Sequence, residues 1–319
     1  MIRTRSLTRT FSTDHGPVEA VRAIDLDVAE GETVALLGPN GAGKSTTLRM
    51  LTTMLPITRG TATVAGYDVA RAPVEVRRRI GSIGQGHGSF DGLRVVEELT
   101  AQARLYGLPR RAARTRAAEL IDDLQLTGLA DRDVATLSGG QRRRLDLAMG
   151  LVHHPPLVFL DEPSSGLDPQ SRAHLWDHIA RMRAAAGTTV VLTTHYLDEA
   201  DAAADRVVVI DHGQIIADGT PSQLKGKVSG DLVTVELADA ADAPAAARIA
   251  GGLAGAQDVD ATGDLVRFRI AEGDSVTPDV VRALDASGVR MRGTRVQRPT
   301  LDDVFLTLTG RSLREEAAA

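Results

Sequence analysis

Residues 38–45 have a composition and a spacing that could bind phosphate. They read Gly-Pro-Asn-Gly-Ala-Gly-Lys-Ser, which is a glycine, four residues and then Gly-Lys-Ser. Glycines let the backbone turn tightly enough for its N–H groups to face phosphate oxygens. Lys44 can place a positive charge at the β- and γ-phosphates, and the Ser45 hydroxyl can bind magnesium. The pattern predicts a nucleotide-binding loop, and a glycine-rich turn that binds nothing is the alternative.

The residues on either side of this loop have the structure that such a loop needs. Residues 33–38 form a short apolar run typical of a buried strand, and the residues after Lys44 have helical periodicity. A helix that begins here directs its positive end at the bound anion. The residues predicted to contact the nucleotide are Gly38, Pro39, Asn40, Gly41, Ala42, Gly43, Lys44, Ser45 and Thr46.

A pair of acidic residues follows a second apolar run. Residues 157–160 are Leu-Val-Phe-Leu, and Asp161 and Glu162 come directly after them. An acid at the end of a buried strand can hold the magnesium shell, as phosphate-loop enzymes require. Glu162 is then placed to orient or deprotonate the attacking water. The alternative is a strand that simply ends in two solvated acids.

Apolar runs alternate with helical segments through the first two thirds of the chain. A helix is expected from about residue 169 to residue 186, and a third apolar run follows at 188–195. This alternation predicts a parallel sheet with helices on its faces, and therefore an α/β fold. Residues 205–217 are expected to close the domain as a hairpin-like pair of strands.

A short polar stretch near Lys225 is a plausible linker between two domains. Beyond it, residues 231–237, 264–270 and 289–297 are predicted strands, separated by amphipathic helices. Thr277 is predicted to cap one of these helices and Gly288 to end it. A final helix is expected to begin after the N-cap residue Thr300. These elements predict a small α+β domain of ferredoxin-like type.

Composition restricts the classes of protein to which the chain can belong. It has 319 residues, 43% of them hydrophobic, and a formal net charge of −5, which argues against nucleic-acid binding through bulk charge. The lack of cysteine excludes disulfides and thiolate chemistry. No apolar run approaches the length of a membrane span, so a membrane role would need a spanning partner. Lysine is nearly absent, which draws attention to Lys44.

Further motifs lie between and after these segments. Leu137 begins the sequence Leu-Ser-Gly-Gly-Gln, 20 residues before the run at 157. Gln85 lies 41 residues after Lys44, a Ser-Gly-Leu-Asp sequence ends at Asp168, and His195 ends the run at 188–195. With the phosphate loop and the acidic pair, this order of motifs resembles the nucleotide-binding domains of ATP-binding-cassette (ABC) transporters. The resemblance covers about 225 residues.

The resemblance implies an ATPase that works as a head-to-tail dimer with two ATP molecules between the domains. It implies that Glu162, His195 and Gln85 are catalytic, with His195 on the γ-phosphate and Gln85 on magnesium and the attacking water. It also implies that Ser45, Gln85 and Asp161 hold the magnesium ion. The other residues that the resemblance places at the nucleotide are Ser138, Gly139 and Gly140, from the partner domain, together with Gln141 and Asp168.

Less specific features have competing interpretations. Phe11 lies where the family keeps an aromatic side chain that stacks on adenine, and a core phenylalanine is the alternative. Residues 85–106 are expected to form the groove that receives a cytoplasmic helix of a permease. The arginine run at 142–144 is predicted to be a solvated helix face. His87 has no partner at metal-binding spacing and is expected to be a solvated side chain.

A finer resemblance extends to the whole chain. The sequences QRRRLDLAMGLV, TTHYLDEADAAADRVVVIDHG and PTLDDVFLTLTGR are similar to those of the ATP-binding subunits of daunorubicin/doxorubicin-resistance-type exporters. This implies an ABC domain at 1–225, with a RecA-like core and a helical subdomain at about 86–155, and an accessory domain at 226–319. It implies a homodimer at the cytoplasmic face of the membrane that uses ATP and Mg²⁺ to power drug or antibiotic efflux through a separate permease.

Other functions stay open on the sequence alone. Export of lipid or polysaccharide, import, and a non-transport ABC ATPase acting on ribosomes or DNA are the alternatives. The chain has one cassette, whereas translation-type members usually carry two. Ser138 lies only 94 residues after Lys44, whereas DNA-repair members have a long coiled coil inserted between these motifs. The intact acidic pair and His195 count against a regulatory module without hydrolysis. The last domain is expected to hold or regulate the dimer, or only to cover apolar surface.

Overall fold

The computed structural model describes residues 1–14, 16–86, 88–228 and 230–310, so the prediction for His87 lies outside the described residues. The chain divides into two compact units, the first over Met1–Pro221 and the second beginning at Ser222. The elements of the first unit are β1 (Ile2–Thr13), β2 (Gly16–Ile24), β3 (Asp27–Val28), β4 (Thr33–Leu37), α1 (Lys44–Leu51), β5 (Arg59–Val64), β6 (Tyr67–Asp68), α2 (Pro73–Arg77), β7 (Ile80–Ile83), α3 (Val95–Leu105), α4 (Arg110–Asp123), α5 (Gly139–Leu151), β8 (Leu157–Asp161), α6 (Pro169–Ala186), β9 (Thr189–Thr194), α7 (Leu197–Ala203), β10 (Arg206–Asp211) and β11 (Gln214–Gly219).

A six-stranded sheet forms the centre of the first unit, in the order β11-β10-β4-β9-β8-β7. Neighbouring strands run parallel except for β10 and β11, which form the hairpin expected at residues 205–217. Strands β4, β8 and β9 are buried along their whole length, as expected for strands that are covered on both faces. The predicted α/β fold is confirmed.

The register of this sheet brings the ends of its central strands level. Leu37 at the end of β4 pairs with Thr194 at the end of β9, and Asp161 at the end of β8 pairs with Thr193. Strand β7 pairs with β8 and ends two residues before Gln85. In open parallel sheets, ligands bind beyond the carboxyl ends of the strands. The fold therefore gathers four separate sequence motifs at one edge.

The rest of the first unit supports this sheet. An antiparallel sheet of order β2-β1-β5-β6, with β3 paired to β1, shares a hydrophobic core with α1 and with one face of the central sheet. Helices α3, α4 and α5 follow β7 and precede β8 in the sequence. They pack together as a helical layer. Among all described helices, none has both the length and the low polarity that a bilayer span requires.

The second unit has the strand order that defines a ferredoxin-like fold. Its elements are α8 (Pro221–Lys225), β12 (Asp231–Leu237), α9 (Ala243–Gly251), β13 (Gln257–Thr262), β14 (Leu265–Ile270), α10 (Gly273–Ala286), β15 (Met291–Gln297) and α11 (Leu301–Thr309). The strands form an antiparallel sheet in the order β13-β14-β12-β15, with α9 and α10 as the two crossover helices. The buried residues of these helices and of one sheet face form a single core.

Two details of the second unit differ from the sequence prediction. The prediction that Thr277 caps α10 is wrong, because the helix begins at Gly273 and the Thr277 hydroxyl donates to the Gly273 carbonyl inside it, at 2.8 Å. The Gly273 N–H donates to Asp231 Oδ2 at 2.9 Å, and this long-range bond fixes the earlier start. Strand β13 was not predicted, because all six of its residues are exposed and Val259 is the one large apolar residue among them. Gly288, with φ of 73°, follows the end of α10 as predicted.

Truncation of Phe268 should loosen the second unit alone. This side chain is fully buried in the core of that unit, so Phe268→Ala is expected to lower the free energy of unfolding by about 3–5 kcal/mol. Hydrogen exchange followed by mass spectrometry should show faster exchange in β12 and β14 and unchanged exchange in β4, β8 and β9. The control is Val259→Ala in β13, where the side chain is 36% exposed. Unchanged exchange in β14 would contradict this account of the core.

Candidate active site

The loop after β4 folds around the amino group of Lys44. Lys44 Nζ donates to the carbonyl oxygens of Gly38 and Pro39 at 2.6 and 2.8 Å, and the residue is 4% exposed. Burial lowers the pKa of Lys44, and the nearby carboxylates of Glu162 and Asp161 oppose that shift. The ammonium group is thus held at the first residue of α1, where phosphate oxygens would compete for it with the carbonyls of the loop.

Two glycines of the loop are required by close backbone packing. A Cβ at Gly43, where φ is 103°, would lie 2.5 Å from the carbonyl oxygen of Ala20 in β2. A Cβ at Gly38 would lie 2.1 Å from the carbonyl oxygen of Ile210 in β10. Any side chain at either position would push the loop away from the strands that support it. These glycines therefore fix the position of the loop as well as its shape.

Asp161 connects the loop to the acidic pair. Its Oδ1 accepts hydrogen bonds from Ser45 Oγ and from Thr193 Oγ1, both at 2.7 Å. Gln85 Nε2 donates to the same Ser45 Oγ at 3.4 Å. The structure therefore brings the three predicted magnesium ligands into one hydrogen-bonded chain. Their hydroxyl, carboxylate and amide oxygens are the hard ligands that Mg²⁺ prefers, so the side chains fit the ion.

A magnesium ion at this position would depend on the nucleotide for further ligands. Across the described ranges, no group of three or more His, Asp or Glu side chains is arranged to hold a metal ion. Mg²⁺ commonly binds through one or two protein ligands together with substrate phosphates and water. The arrangement at Ser45 and Asp161 agrees with that mode, in which metal and nucleotide bind together.

Glu162 is held in an unusual backbone conformation. Its φ is 46°, in the left-handed region that residues with a side chain rarely adopt. The Glu162 N–H donates to Thr193 Oγ1 at 3.0 Å, and Glu162 Oε1 lies 3.4 Å from His195 Nδ1. Contact with the His195 imidazole and the charge of Lys44 lower the pKa of Glu162, against the opposing effect of burial. Glu162 is therefore a carboxylate at neutral pH, the form that a general base requires.

The start of α5 is shaped by a reciprocal capping box. Ser138 Oγ accepts from the Gln141 N–H at 3.3 Å, and the Ser138 N–H donates to Gln141 Oε1 at 2.9 Å. A Cβ at Gly140 would lie 2.9 Å from Ser171 Oγ, whereas a Cβ at Gly139 would meet no other described atom within 4 Å. The Ser171 side chain thus crowds the second glycine, while the first leaves open space beside a helix N-terminus that can accept an anion.

Phe11 and Asp168 have partners within the chain. Phe11 pairs with Val18 across β1 and β2, and the Arg9 guanidinium carbon lies 4.6 Å from the centre of its ring. Asp168 caps α6, with Oδ1 accepting from the Ser171 N–H at 2.9 Å and Oδ2 from the Ser171 hydroxyl at 2.6 Å. Contact with the nucleotide stays a prediction for both residues.

The prediction of a solvated arginine face at residues 142–144 is wrong. Arg143 is 5% exposed, and it donates to the carbonyl oxygens of Pro163 at 2.9 Å, Gly84 at 2.6 Å and Asp161 at 3.4 Å. It therefore joins α5 to the segments that carry Gln85 and the acidic pair. A run of arginines carries no sign of burial, because only the folded arrangement supplies the backbone carbonyls that accept from the guanidinium group.

Arg142 and Asp146, also on α5, hold the segment between β7 and α3. Arg142 Nη2 lies 2.6 Å from Asp91 Oδ1, and the guanidinium group donates to the Ser89 hydroxyl and carbonyl at 3.1 and 2.8 Å. Asp146 Oδ1 accepts from the N–H groups of Gly88 and Ser89 at 3.1 and 3.2 Å. Helix α5 thus fixes the course of this segment as well as the position of the acidic pair.

The fold and the site together define an ATP-binding cassette. A phosphate loop and an acidic pair lie at the carboxyl edge of one parallel sheet, and a capped Ser-Gly-Gly helix start belongs to the helical layer. Residues 21–165 match the family model described as ABC transporter. Residues 219–309 match the model described as ATP-binding protein DrrA1-3-like, C-terminal domain.

Two known proteins are similar over nearly the whole chain, and a solved structure is similar over 71% of it. The daunorubicin resistance ATP-binding protein DrrA2 of Streptomyces coeruleorubidus is 46% identical over 93% of this chain and 92% of its own length. The daunorubicin/doxorubicin resistance ATP-binding protein DrrA of Streptomyces peucetius is 43% identical over 97% of this chain and 92% of its own length. The solved structure of cbiO1 from Clostridium perfringens, part of the ABC transporter complex cbiONQ, has a TM-score of 0.64 and 26% identity over 71% of this chain and 90% of its own.

The chain belongs to the family of ABC transporter ATP-binding proteins, in the group that contains the daunorubicin/doxorubicin resistance ATP-binding proteins. The resemblance stated from the sequence is confirmed. Members of this family form dimers and work with membrane permease subunits. The protein is accordingly an ATPase whose hydrolysis of ATP is coupled to transport.

Substitutions at Glu162 and Lys44 should separate hydrolysis from binding. Glu162→Gln keeps the shape of the side chain but removes the base, so turnover should fall by about 100-fold or more while ATP binding persists. Lys44→Ala removes the charge that faces the phosphates and should abolish measurable ATP binding. Phosphate release and equilibrium binding of a fluorescent ATP analogue would measure the two effects. Hydrolysis retained in Glu162→Gln would refute its role as the base.

Loss of Arg143 should affect turnover more than nucleotide affinity. Arg143→Met keeps most of the buried volume but removes all the hydrogen bonds to the carbonyls around the site. We expect kcat to fall about 10- to 100-fold, because small displacements of catalytic groups have effects of that size, with KM for ATP changed less than about twofold. Arg143→Lys should recover part of the loss, and Arg144→Met on the same helix is the control. An unchanged kcat in Arg143→Met would contradict this positioning role.

Proposed function

We propose that this chain powers the export of a drug or antibiotic through a separate membrane permease. The observation that supports the ATPase part of the proposal is the hydrogen-bonded network from Ser45 through Asp161 and Thr193 to the Glu162 N–H, which joins the phosphate loop to the base. The two relatives described above bear names that refer to daunorubicin or doxorubicin resistance. Their similarity over the whole chain supports the same class of exported molecule here.

The residues of the network have separate tasks in the proposed reaction. Lys44 and the N–H groups of the loop bind the phosphates, and Glu162 accepts the proton of the attacking water. His195, which lies beside Glu162, contacts the γ-phosphate. Ser45, Asp161 and Gln85 would hold a magnesium ion, which would supply positive charge to the phosphate oxygens. Most of the rate enhancement comes from positioning and charge, because phosphoryl transfer needs little covalent help.

We propose a homodimer in which each chain completes the site of the other. The open space beside Gly139 at the start of α5 is supporting evidence, because packing within the described chain does not explain a glycine there. In the proposed dimer, Ser138, Gly139 and Gly140 contact the γ-phosphate bound to the partner's loop. One chain carries both the phosphate loop and the Ser-Gly-Gly helix start, so two identical chains are sufficient.

The permease is proposed to bind a groove beside Gln85, which would place the protein at the cytoplasmic face of the membrane. A groove of about 510 Å³ lies there, lined by residues that include Met54, Gly84, Gly86, Gly88, Gln102 and Tyr106. Of the lining residues, Met54 and Tyr106 are exposed by 63% and 36%. Such exposed apolar side chains next to a groove are typical of a protein-binding surface.

The proposed domain boundaries follow the two regions of the chain that match family models. Residues 1–225 are proposed to form the ABC domain, with the helical subdomain at about 86–155 containing the Ser-Gly-Gly helix start and one side of the groove. Residues 226–319 are proposed to form the accessory domain. The hydrophobic core of residues 226–319 is formed by residues of that range alone. This agrees with an accessory domain that follows the ATPase domain in the chain.

The proposed function is tested by capture of the partner. Tagged Glu162→Gln protein with ATP and Mg²⁺, added to detergent-solubilised membranes of the native cell, should retain a protein with several membrane spans. Light scattering on the same purified chain should show a dimer with ATP and a monomer without it. The matched control is the Lys44→Ala chain, which should not dimerise because it does not bind ATP.

Each alternative function predicts a different result. Ribosomal or DNA-associated proteins among the captured material, with no membrane protein, would contradict the transport proposal. A captured permease that confers no drug resistance when both chains are expressed in a sensitive host would contradict the proposed substrate class and favour lipid or polysaccharide export. A monomer in the presence of ATP would contradict the homodimer.

A further inference from the structure

A dense positive patch lies where α3 turns into α4. Between Glu98 and Glu119 the sequence has five arginines and no acidic residue, although the net charge of the whole chain is −5. Leu105, at the end of α3, is 82% exposed, more than any other large apolar side chain of the described residues. We use the name α3–α4 corner for the exposed residues Arg104, Leu105, Arg110, Arg111 and Arg114.

Two charges of the α3–α4 corner oppose the dipole of the helix that carries them, whereas Arg104 lies in the last turn of α3, where a cation is favourable. Arg110 and Arg111 occupy the first turn of α4, where the positive end of the helix dipole disfavours cations. The first turn of this helix has no acidic residue, and its N-cap, Pro109, provides no side-chain hydrogen bond. Within the described residues, neither these two arginines nor Arg104 and Arg114 form an ion pair. An anion bound at the corner would offset this unfavourable concentration of charge.

The arginines of the corner converge on a groove. The space between α3 and α4 has a volume of about 690 Å³ and is lined by Arg104, Arg110 and Arg114, with Glu97 as the one acidic lining residue. Glu97 Oε2 already accepts from the Arg94 N–H at 3.0 Å. Guanidinium groups bind phosphate oxygens through paired N–H donors, so the groove suits phosphate groups.

The corner adjoins the surface that is proposed to meet the permease. Tyr106 directly follows Leu105 and lines the groove beside Gln85. The permease is embedded in the bilayer, so the side of the chain that receives it also faces the lipid headgroups. The corner is therefore placed to touch the membrane surface next to the permease.

We propose that the α3–α4 corner binds anionic phospholipid headgroups of the bilayer that contains the permease. The arginines bind headgroup phosphates, and Leu105 enters the boundary between headgroups and acyl chains. The inference rests on the proposed partnership with a permease. An acidic segment of the permease would satisfy the arginines equally well, but it would not account for an apolar side chain at the most exposed point of the patch.

Vesicle binding by the purified full chain, without any permease, tests this inference. We expect the chain to co-sediment with vesicles of phosphatidylcholine and phosphatidylglycerol, but not with phosphatidylcholine alone, and to dissociate at high salt. Because each arginine near an anionic surface contributes about a fivefold factor, the triple variant Arg110→Gln/Arg111→Gln/Arg114→Gln should bind about 100-fold more weakly. Leu105→Gln should weaken binding about fivefold through loss of apolar burial.

A second triple variant controls for bulk charge. Arg267→Gln/Arg290→Gln/Arg295→Gln removes the same charge from exposed positions of the second unit and should bind vesicles like the unchanged chain. Equal losses in the two triple variants, binding to neutral vesicles, or no vesicle binding at all would each overturn the inference. The ATPase activity of every variant, measured without membranes, confirms that it is folded.

Partner capture separates this inference from the proposed function. The corner triple variant, combined with Glu162→Gln, should still retain the permease although it has lost vesicle binding. If the corner triple variant failed to retain the permease but still bound vesicles, the arginines would bind an acidic segment of the permease instead. That result would overturn the lipid proposal. Failure of vesicle binding with normal capture of the permease would overturn only the lipid inference.

Discussion

The parallel register of β4, β9 and β8 is the constraint on which the rest of the site depends. It places the phosphate loop, the acidic pair and His195 at one level of one sheet edge, although more than 100 residues separate the first from the second. The hydrogen bonds from Ser45 and Thr193 to Asp161 then join α1, β9 and β8 through one carboxylate. The proposed chemistry depends on this alignment of the strands, because no single side chain can act unless the others lie beside it.

Helix α5 is the second element that organises the site. Its first residues form the Ser-Gly-Gly surface proposed to meet the partner chain, and the residues just after them bind the backbone around Gln85 and the acidic pair. A displacement at the exposed helix start would therefore move Arg143 and the carbonyls that it holds. The surface proposed for contact between two chains and the geometry of the base are therefore linked by one helix rather than by a long path.

Much of the fold could be predicted because its signals are local. The phosphate loop, the buried strands and the cap at Thr300 each depend on residues within one turn or one strand. The start of α10 could not be predicted, because a bond to Asp231, 42 residues away, decides it. The burial of Arg143 depends in the same way on carbonyls supplied by other segments. Roles at the nucleotide follow from motif chemistry, whereas the contacts that position those motifs appear only in the folded chain.

The hydrogen bonds of Lys44 affect how tightly a nucleotide can be held. Its ammonium group already donates to two carbonyl oxygens, and Ser45 already donates to Asp161. Phosphate binding is therefore an exchange of partners, and its net free energy is much smaller than the number of new contacts suggests. When the phosphates leave, the loop returns to acceptors of its own. This exchange lowers the free-energy cost of releasing the phosphates, because Lys44 and Ser45 regain partners within the chain.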